Sequence, residues 1–465
     1  MGKAVVICSH PLAAQAGQRV LQHGGNAVDA AVATALAITV VDPPNCTLTG
    51  YGGYMTVQKA HDDRALVVDF NTTVPRDFSV DALTAAPRLQ GFLCGAPSVS
   101  VPGVPAGLAG AHREFGTQSF SSLATSAIAF AEEGFEVGRN LNKALAWVAP
   151  HLAQTNAAWR AVFAPTGRVL QQGDRLVQSD LAKTLRAYAA APTEFYTGPI
   201  GQQLVQATQQ EGGLLSMDDM KAMKAVVMPA DHAGVAGLEV QGPPAEHSGF
   251  GILKHALARL ADTTPATRDA ARYVVALREA WAWRAALVQM PSTPVQHTNH
   301  FCVVDAQGMM VACTFTLGPL WFGSLQMLQG TGLVLNCGMN LIRQRRSNGE
   351  YLAVNNLTPV IAQDAQQRRY VAGTPGGTRI PAVVMRLLVE TALSGQSLQQ
   401  AMDLPRIAVR PDGTAEFEAV LDYPGAFETL GAEDFYGPAS IVRRDRDGIL
   451  EIGQDPRFDI GVAWA

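Results

Sequence analysis

At His297 the chain changes character, and this change constrains its fold more than any other feature. Before it, Ala106 to Phe115, Ser121 to Glu133 and Leu181 to Ala190 carry apolar residues at helical spacing, predicting a mostly helical middle from about Gly107 to Leu260. Val240-Gln241-Gly242-Pro243-Pro244 interrupts that region, and helix resumes over Gly249 to Ala261 and Thr267 to Val288. After His297 the pattern is strand. Phe301 to Val304, a turn at Asp305-Ala306-Gln307-Gly308 and Met310 to Leu317 predict a β-hairpin. Leu333 to Leu335, Pro359 to Ala362 and Tyr370 to Ala372 are further short strands, and Ile380 to Ser394 returns to helix. Near the start, Ala4 to Cys8 reads as a strand, followed by helices over Ala13 to Gln22 and Ala27 to about Thr39. Asn26 caps the second and Asp42-Pro43-Pro44 ends it. Tyr54 to Val57 and Ala65 to Phe70 read as two paired strands. Helix-rich, then strand-rich, then helix implies sheets with helices outside, a layered α+β sandwich.

Composition narrows the functional classes. A chain of 465 residues, 48% hydrophobic and 16% charged, has ample material for a large core and does not read as disordered or coiled coil. Length alone suggests about three domains. A net charge of −5 and a pI near 6.1 give no field favouring nucleic acid, and the densest basic cluster, Arg343, Arg345 and Arg346, is too small for a polyanion track. The six cysteines contain no C-x-x-C pair and read as free thiols in a reducing compartment. The apolar run at the start is too short for a signal peptide, and Ala30 to Val41, about a dozen residues, is too short to span a bilayer. The expectation is a cytoplasmic protein without a membrane partner. His297 and His300 lack metal-ligand spacing, and there is no Walker loop, dinucleotide fingerprint or G-x-S-x-G elbow, so no metal or cofactor is expected.

Two local features leave alternatives open. Gly376-Gly377, between a strand and a helix, is either an ordinary turn or a source of backbone amides for an oxyanion. Thr298 opens a strand, where threonine is normally a β-former. It becomes a nucleophile only if a base activates it, one such base being its own α-amine after the preceding bond is cut.

The assembled segments resemble the gamma-glutamyltranspeptidase family over nearly the whole chain. Ser9-His10-Pro11-Leu12-Ala13 and Gly24-Gly25-Asn26-Ala27-Val28-Asp29-Ala30 are similar to its opening signature. Val101-Pro102-Gly103-Val104-Pro105, Ala131-Glu132-Glu133-Gly134-Phe135 and Gly242-Pro243-Pro244 continue it. His297-Thr298-Asn299-His300-Phe301-Cys302-Val303-Val304-Asp305 resembles the nucleophile strand, Pro375-Gly376-Gly377-Thr378-Arg379-Ile380 the oxyanion segment, and Asp455-Pro456-Arg457 the C-terminal motif. The resemblance implies an N-terminal-nucleophile αββα sandwich. It also implies a precursor that cuts itself before Thr298, giving a large-subunit part, residues 1–297, and a small-subunit part, 298–465, of one fold. Thr298 would attack an amide, Thr316 would support it, and Gly376 and Gly377 would bind the oxyanion, releasing the acyl group to water or an amine.

The residues that would bind substrate depart from the family pattern. The arginine for the glutamate α-carboxylate falls on Asn71, the aspartate for the α-ammonium on Leu341, a strand asparagine on Gly318, the glutamine on Gly338, and a serine pair on Asn355-Asn356. An amide cannot copy a bidentate guanidinium clamp, and leucine cannot pair an ammonium. Phe301-Cys302 and Pro319-Leu320-Trp321-Phe322 suggest a smaller or more apolar pocket, while Arg76 or the Arg343 to Arg346 cluster offers a carboxylate another anchor. The expected substrate is a small-molecule amide whose acyl group is not γ-glutamyl. The alternatives are a γ-glutamyltransferase or glutathione hydrolase with a rewired pocket, and a non-catalytic binding relative.

Overall fold

A computed structural model describes residues 3–289, 297–431 and 437–465. Two large antiparallel sheets dominate it. The first has seven strands in the spatial order Gly461–Trp464, Val5–Cys8, Asn299–Val304, Met310–Thr316, Gly52–Gln58, Leu66–Asp69 and Val226–Pro229. The second has six, in the order Leu450–Gln454, Ser440–Arg444, Arg369–Gly373, Val360–Gln363, Leu238–Gly242 and Asp231–Val235. Each sheet draws strands from both sides of the His297–Thr298 bond, so neither side completes a sheet alone.

The two-residue period of the strands sorts their side chains into layers. Val5, Ile7, Cys302, Val304, Met310 and Ala312 meet Ile361, Val371 and Val442 of the other sheet in one buried cluster. Their alternates, Val6, Cys8, Phe301, Val303, Val311 and Cys313, lie in a separate core with the helices Pro11–Gln22 and Ala27–Val41. On the far side, Val240, Val360, Tyr370 and Ile441 pack with the helices Phe250–Arg259, Ala270–Leu287 and Ile380–Leu388. The result is helix, sheet, sheet, helix. Strands covered on both faces read as continuous apolar runs, as the central ones do.

The helix Ala27–Val41 is buried along its whole length, which explains its lack of a polar stripe. Asn26 Oδ1 accepts from the Val28 and Asp29 amides at 2.9 Å each, and Asp29 Oδ2 in turn accepts from the Asn26 amide at 3.0 Å. This reciprocal cap sets where the helix begins.

Three regions differ from the sequence expectation. The helical middle contains the edge strands Val226–Pro229 and Asp231–Val235 and the strand Leu238–Gly242, whose His, Gly and Glu residues hide the alternation. The helix expected over Ser121 to Glu133 is two, Phe120–Leu123 and Thr125–Glu133. The C-terminal strands Ser440–Arg444, Leu450–Gln454 and Gly461–Trp464 lack a simple pattern because only alternate or partial positions reach the core.

Candidate active site

The predicted hairpin forms and brings the two threonines together. Asn299 pairs with Phe315 and His300 with Thr314, so continuing the register sets Thr298 opposite Thr316. Counting along the strands from Cys302 and Ala312, both threonines fall on the side that faces the second sheet. Thr298 is 5% exposed and Thr316 2%, so both are largely withdrawn from bulk water.

The Thr298 hydroxyl lies within hydrogen-bond reach of the His297 carbonyl oxygen, and Thr316 Oγ1 donates to the same oxygen at 3.1 Å. Thr316 Oγ1 in turn accepts from the Gly318 amide at 3.1 Å, which fixes its direction. Gly318 has φ +127°, and a Cβ there would stand 2.6 Å from Cys337 Sγ, so the chain can turn here only as glycine. The His297 ring stacks on Trp321 at 4.3 Å, and burial together with the nearby Lys143 charge lowers its pKa to about 3.

The glycine turn enters from the second sheet. Gly373, at the end of its strand, packs so closely on the His300 imidazole that a Cβ would meet Nδ1 at 2.6 Å. The next residues carry the chain toward Thr298. Gly376 at φ +134° and Gly377 at φ +60° adopt conformations that glycine tolerates best, and Gly377 lines the pocket at Thr298. Among the described residues neither glycine amide is spent on a backbone carbonyl. Behind the turn, Arg379 donates from Nε and Nη2 to the two Glu416 oxygens at 2.5 and 2.6 Å, both side chains being buried. The structure thus gathers Thr298, Thr316 and Gly377, with Gly376 one residue behind.

Two cavities meet at His297 and Thr298. The inner one, about 30 Å³, is lined by Gly318, Leu341, Asn355 and Asn356, and also by Arg284 and Arg343. Asn71 stands behind this wall. Its Oδ1 accepts from Asn355 Nδ2 at 2.9 Å, and its own Nδ2 donates to Asp69 Oδ1 at 2.8 Å. The outer cavity, about 740 Å³, includes Trp147, Trp321, Phe135, His10, Asp42 and Lys143 in its walls.

Some sequence expectations require correction. Phe301 and Cys302 do not shape either cavity. Phe301 packs toward the helices, with its ring 6.1 Å from Phe315, while Cys302 lies between the sheets. Phe322 is likewise core, against Trp159 and Phe163, whereas Trp321 does reach the outer cavity. Arg76 is an exposed partner of Asp218 at 3.0 Å and is no pocket residue. Arg345 pairs with Glu246 at 3.1 Å, leaving Arg343 as the member of its cluster that lines the inner pocket. Arg284, missed in the sequence, was hidden in an otherwise helical pattern. It is wholly buried, and its guanidinium donates to the Ala245, Glu246 and Ser248 carbonyls.

Beneath the strand Asn299–Val304, Asn299 Nδ2 donates to Asp42 Oδ2 at 2.6 Å and to Ser9 Oγ at 2.8 Å. Burial raises the Asp42 pKa from 3.8 to about 7 despite hydrogen bonds from Asn45 and Asn299. Burial also pushes the Cys302 and Cys313 thiols well above their usual range, so neither is a reactive thiolate at neutral pH. Among the described residues no three His, Cys, Asp or Glu side chains cluster as a metal site, and no helix is long and apolar enough to cross a membrane.

Two facing antiparallel sheets between helical layers, with a strand-opening threonine at the meeting of two cavities, define the N-terminal-nucleophile hydrolase fold. The solved cephalosporin acylase of Bacillus halodurans superposes with a TM-score of 0.86 over 99% of this chain and 96% of its own, at 23% identity. The sequence model of the Gamma-glutamyltranspeptidase family matches residues 13–289 and 278–463, and the chain belongs to that family. The Acylase ACY 1 proenzyme of Pseudomonas sp. (strain V22) is 29% identical, over 87% of this chain and 82% of the relative. The Glutathione hydrolase proenzyme of Pseudomonas sp. (strain A14) is 28% identical, over 99% and 93%. The protein is an enzyme of the hydrolase and transferase type this family comprises.

Proposed function

We propose that this protein is a self-processing amide hydrolase or acyltransferase that uses Thr298 as its nucleophile and accepts an acyl group other than γ-glutamyl. The reading rests on one observation: Thr298, Thr316 and Gly377 share a pocket with Leu341, where an ammonium-binding carboxylate would be needed for glutamate.

Processing begins when Thr298 Oγ1 attacks the His297 carbonyl carbon. The C–N bond breaks, an ester forms to Oγ1, and the nitrogen becomes the free α-amine of Thr298. Water then hydrolyses the ester, leaving a carboxylate on His297. The Thr316 donor to the His297 oxygen supports this step, because that oxygen gains negative charge as the tetrahedral centre forms. In turnover the α-amine takes the Thr298 hydroxyl proton, Oγ1 attacks the substrate amide, and the proton passes to the departing amine. The Gly376 and Gly377 amides stabilise the oxyanion, and water or an acceptor amine releases the acyl group. "Proenzyme" in the names of both Pseudomonas relatives supports a large and a small subunit arising from one precursor here.

The test is intact mass and denaturing gels of the wild type and of Thr298→Ala, followed by amine release from a γ-glutamyl anilide and from simple acyl amides. The expected result is two fragments meeting at His297–Thr298 in the wild type, one uncut chain in the variant, and little γ-glutamyl turnover. A wild type that stays whole refutes the nucleophile assignment. Brisk γ-glutamyl turnover refutes the substrate reading.

A further inference from the structure

The inner pocket carries positive charge without a compensating carboxylate. Its walls include Arg284 and Arg343 and contain no Asp or Glu. The two arginines are not equivalent. Arg284 is committed to three backbone carbonyls and braces the chain around Ala245 to Ser248. Arg343 donates from Nη1 to the carbonyl of its neighbour Ile342 at 2.9 Å, and no Asp or Glu pairs with it among the described residues. It follows directly on the short turn Gly338–Leu341, at the start of the strand Ile342–Gln344, so the chain carries it into the same pocket wall as Leu341.

Arg343 is half-buried, and a guanidinium drawn partly out of water with no carboxylate beside it leaves charge that an anionic ligand can satisfy. The remaining walls narrow the chemistry of that ligand. Leu341, Val354, Leu357 and Ile380 suit a short hydrocarbon chain, and the Asn355 and Asn356 amides suit polar oxygens. Nothing there offers an anion to an ammonium. A cavity of about 30 Å³ excludes a long acyl chain unless the pocket widens when the His297–Thr298 bond is cut.

Resting on the nucleophile reading above, we propose that Arg343 is the carboxylate anchor of the acyl subsite and that the substrates are monoamides of short dicarboxylic acids. The guanidinium holds the free carboxylate by paired hydrogen bonds while Thr298 Oγ1 attacks the amide at the other end. The amide C–N bond breaks, the amine leaves with the proton taken from Thr298, and a half-ester forms. Water then cleaves that ester, returning the hydroxyl proton to Thr298 and releasing the dicarboxylate.

The experiment uses the processed full-length protein, with processing verified by intact mass. Ammonia release is measured from the monoamides of oxalic, malonic, succinic and glutaric acids and from butyramide as a neutral counterpart, in wild type, Arg343→Gln and Arg343→Lys. Succinate binding to the same proteins is followed by calorimetry, independently of turnover. The wild type is expected to prefer one or more anionic amides over butyramide by at least about 10²-fold in kcat/KM. Arg343→Gln is expected to lose about that factor on the anionic amides, mainly through KM, and to leave butyramide within a few-fold. Arg343→Lys should recover part of the loss, and succinate binding should weaken in parallel.

A processed wild type that prefers butyramide, or turns over none of the anionic series, overturns the anchor while leaving the nucleophile reading intact. Equal losses on anionic and neutral amides in Arg343→Gln, with unchanged succinate binding, also overturn it. A wild type that never cuts itself removes the underlying reading and the anchor with it. Should Arg343→Gln fail to fold, retention of the full anionic preference by Arg343→Met, which keeps an apolar stem, is the refuting result.

Discussion

Replacing Thr316 by valine removes a hydroxyl while keeping a β-branched side chain of similar shape at a site 2% exposed. In the uncut chain that hydroxyl donates to the His297 carbonyl oxygen at 3.1 Å and accepts from the Gly318 amide at 3.1 Å. The two bonds contribute in different ways. In the proposed self-cleavage the His297 oxygen gains negative charge as Thr298 attacks, so its donor would act on the barrier. Losing one such donor costs about 3 kcal/mol, roughly a 10²-fold slower cut. The Gly318 bond acts on the folded state, where an orphaned buried amide costs about 1–3 kcal/mol. Thr316→Val should therefore accumulate as uncut precursor, with a half-time about 10²-fold longer than wild type and a modest fall in unfolding midpoint. A gel time course from freshly purified protein reads the first effect, and urea unfolding reads the second. Thr316→Ser, which restores a donor, should recover most of the rate. Wild-type processing by Thr316→Val would refute the assignment. So would slowing that vanishes once only folded protein is counted.

The other predictions concern the supports of the site. Glu416→Gln breaks the buried fork from Arg379 behind the Gly376-Gly377 turn, and urea unfolding should show a loss of about 3–5 kcal/mol. Turnover at temperatures where the variant is folded should fall as well, through kcat. Asp42 has its pKa raised from 3.8 to about 7, so the folded state favours its protonated form. That contribution, about 4 kcal/mol, is fully present below pH 3.8 and is lost as the pH rises through 7. Asp42→Asn stays uncharged, so thermal melts should show the variant gaining on wild type from pH 4 to 8, whereas parallel curves would contradict the buried-carboxylate argument.

Legibility in the sequence followed the range of each interaction. The hairpin was readable because two apolar runs flank a local Asp-Ala-Gln-Gly turn, whereas the register that sets Thr298 opposite Thr316 is a property of the folded sheet. The N-cap at Asn26 was readable for the same reason. The role of the Gly376-Gly377 turn was not, because the packing of Gly373 on His300 across the sheet interface involves residues over seventy apart, near enough only once both sheets exist. Arg343 and Arg345 were equivalent as letters; one meets Glu246 at 3.1 Å and the other lines a cavity, a distinction only tertiary structure makes. The edge strand Asp231–Val235 was lost because an edge position tolerates His and Gly, and its neighbour Leu238–Gly242 because five residues with Glu and Gln at the less buried positions make too short a pattern.

The placement of the site also separates what the fold must hold rigid from what it can vary. Thr298 and Thr316 are set by the register of two central strands covered on both faces, and a one-residue slip would exchange every side chain of the slipped strand between the inter-sheet layer and the helix-facing layer. Leu341 and Arg343 lie on a short turn and a three-residue strand, and Asn355 follows the equally short strand Tyr351–Ala353 that pairs with it. Exchanging side chains there would change the pocket lining without moving the Thr298 and Thr316 hydroxyls. The proposed acyl subsite, with Leu341 in place of an ammonium-pairing carboxylate and Arg343 as its anchor, is therefore compatible with the proposed role of Thr298. For this reason substitutions at Arg343 should alter the choice of acyl group before they alter self-cleavage, whereas substitutions at Thr316 should do the reverse.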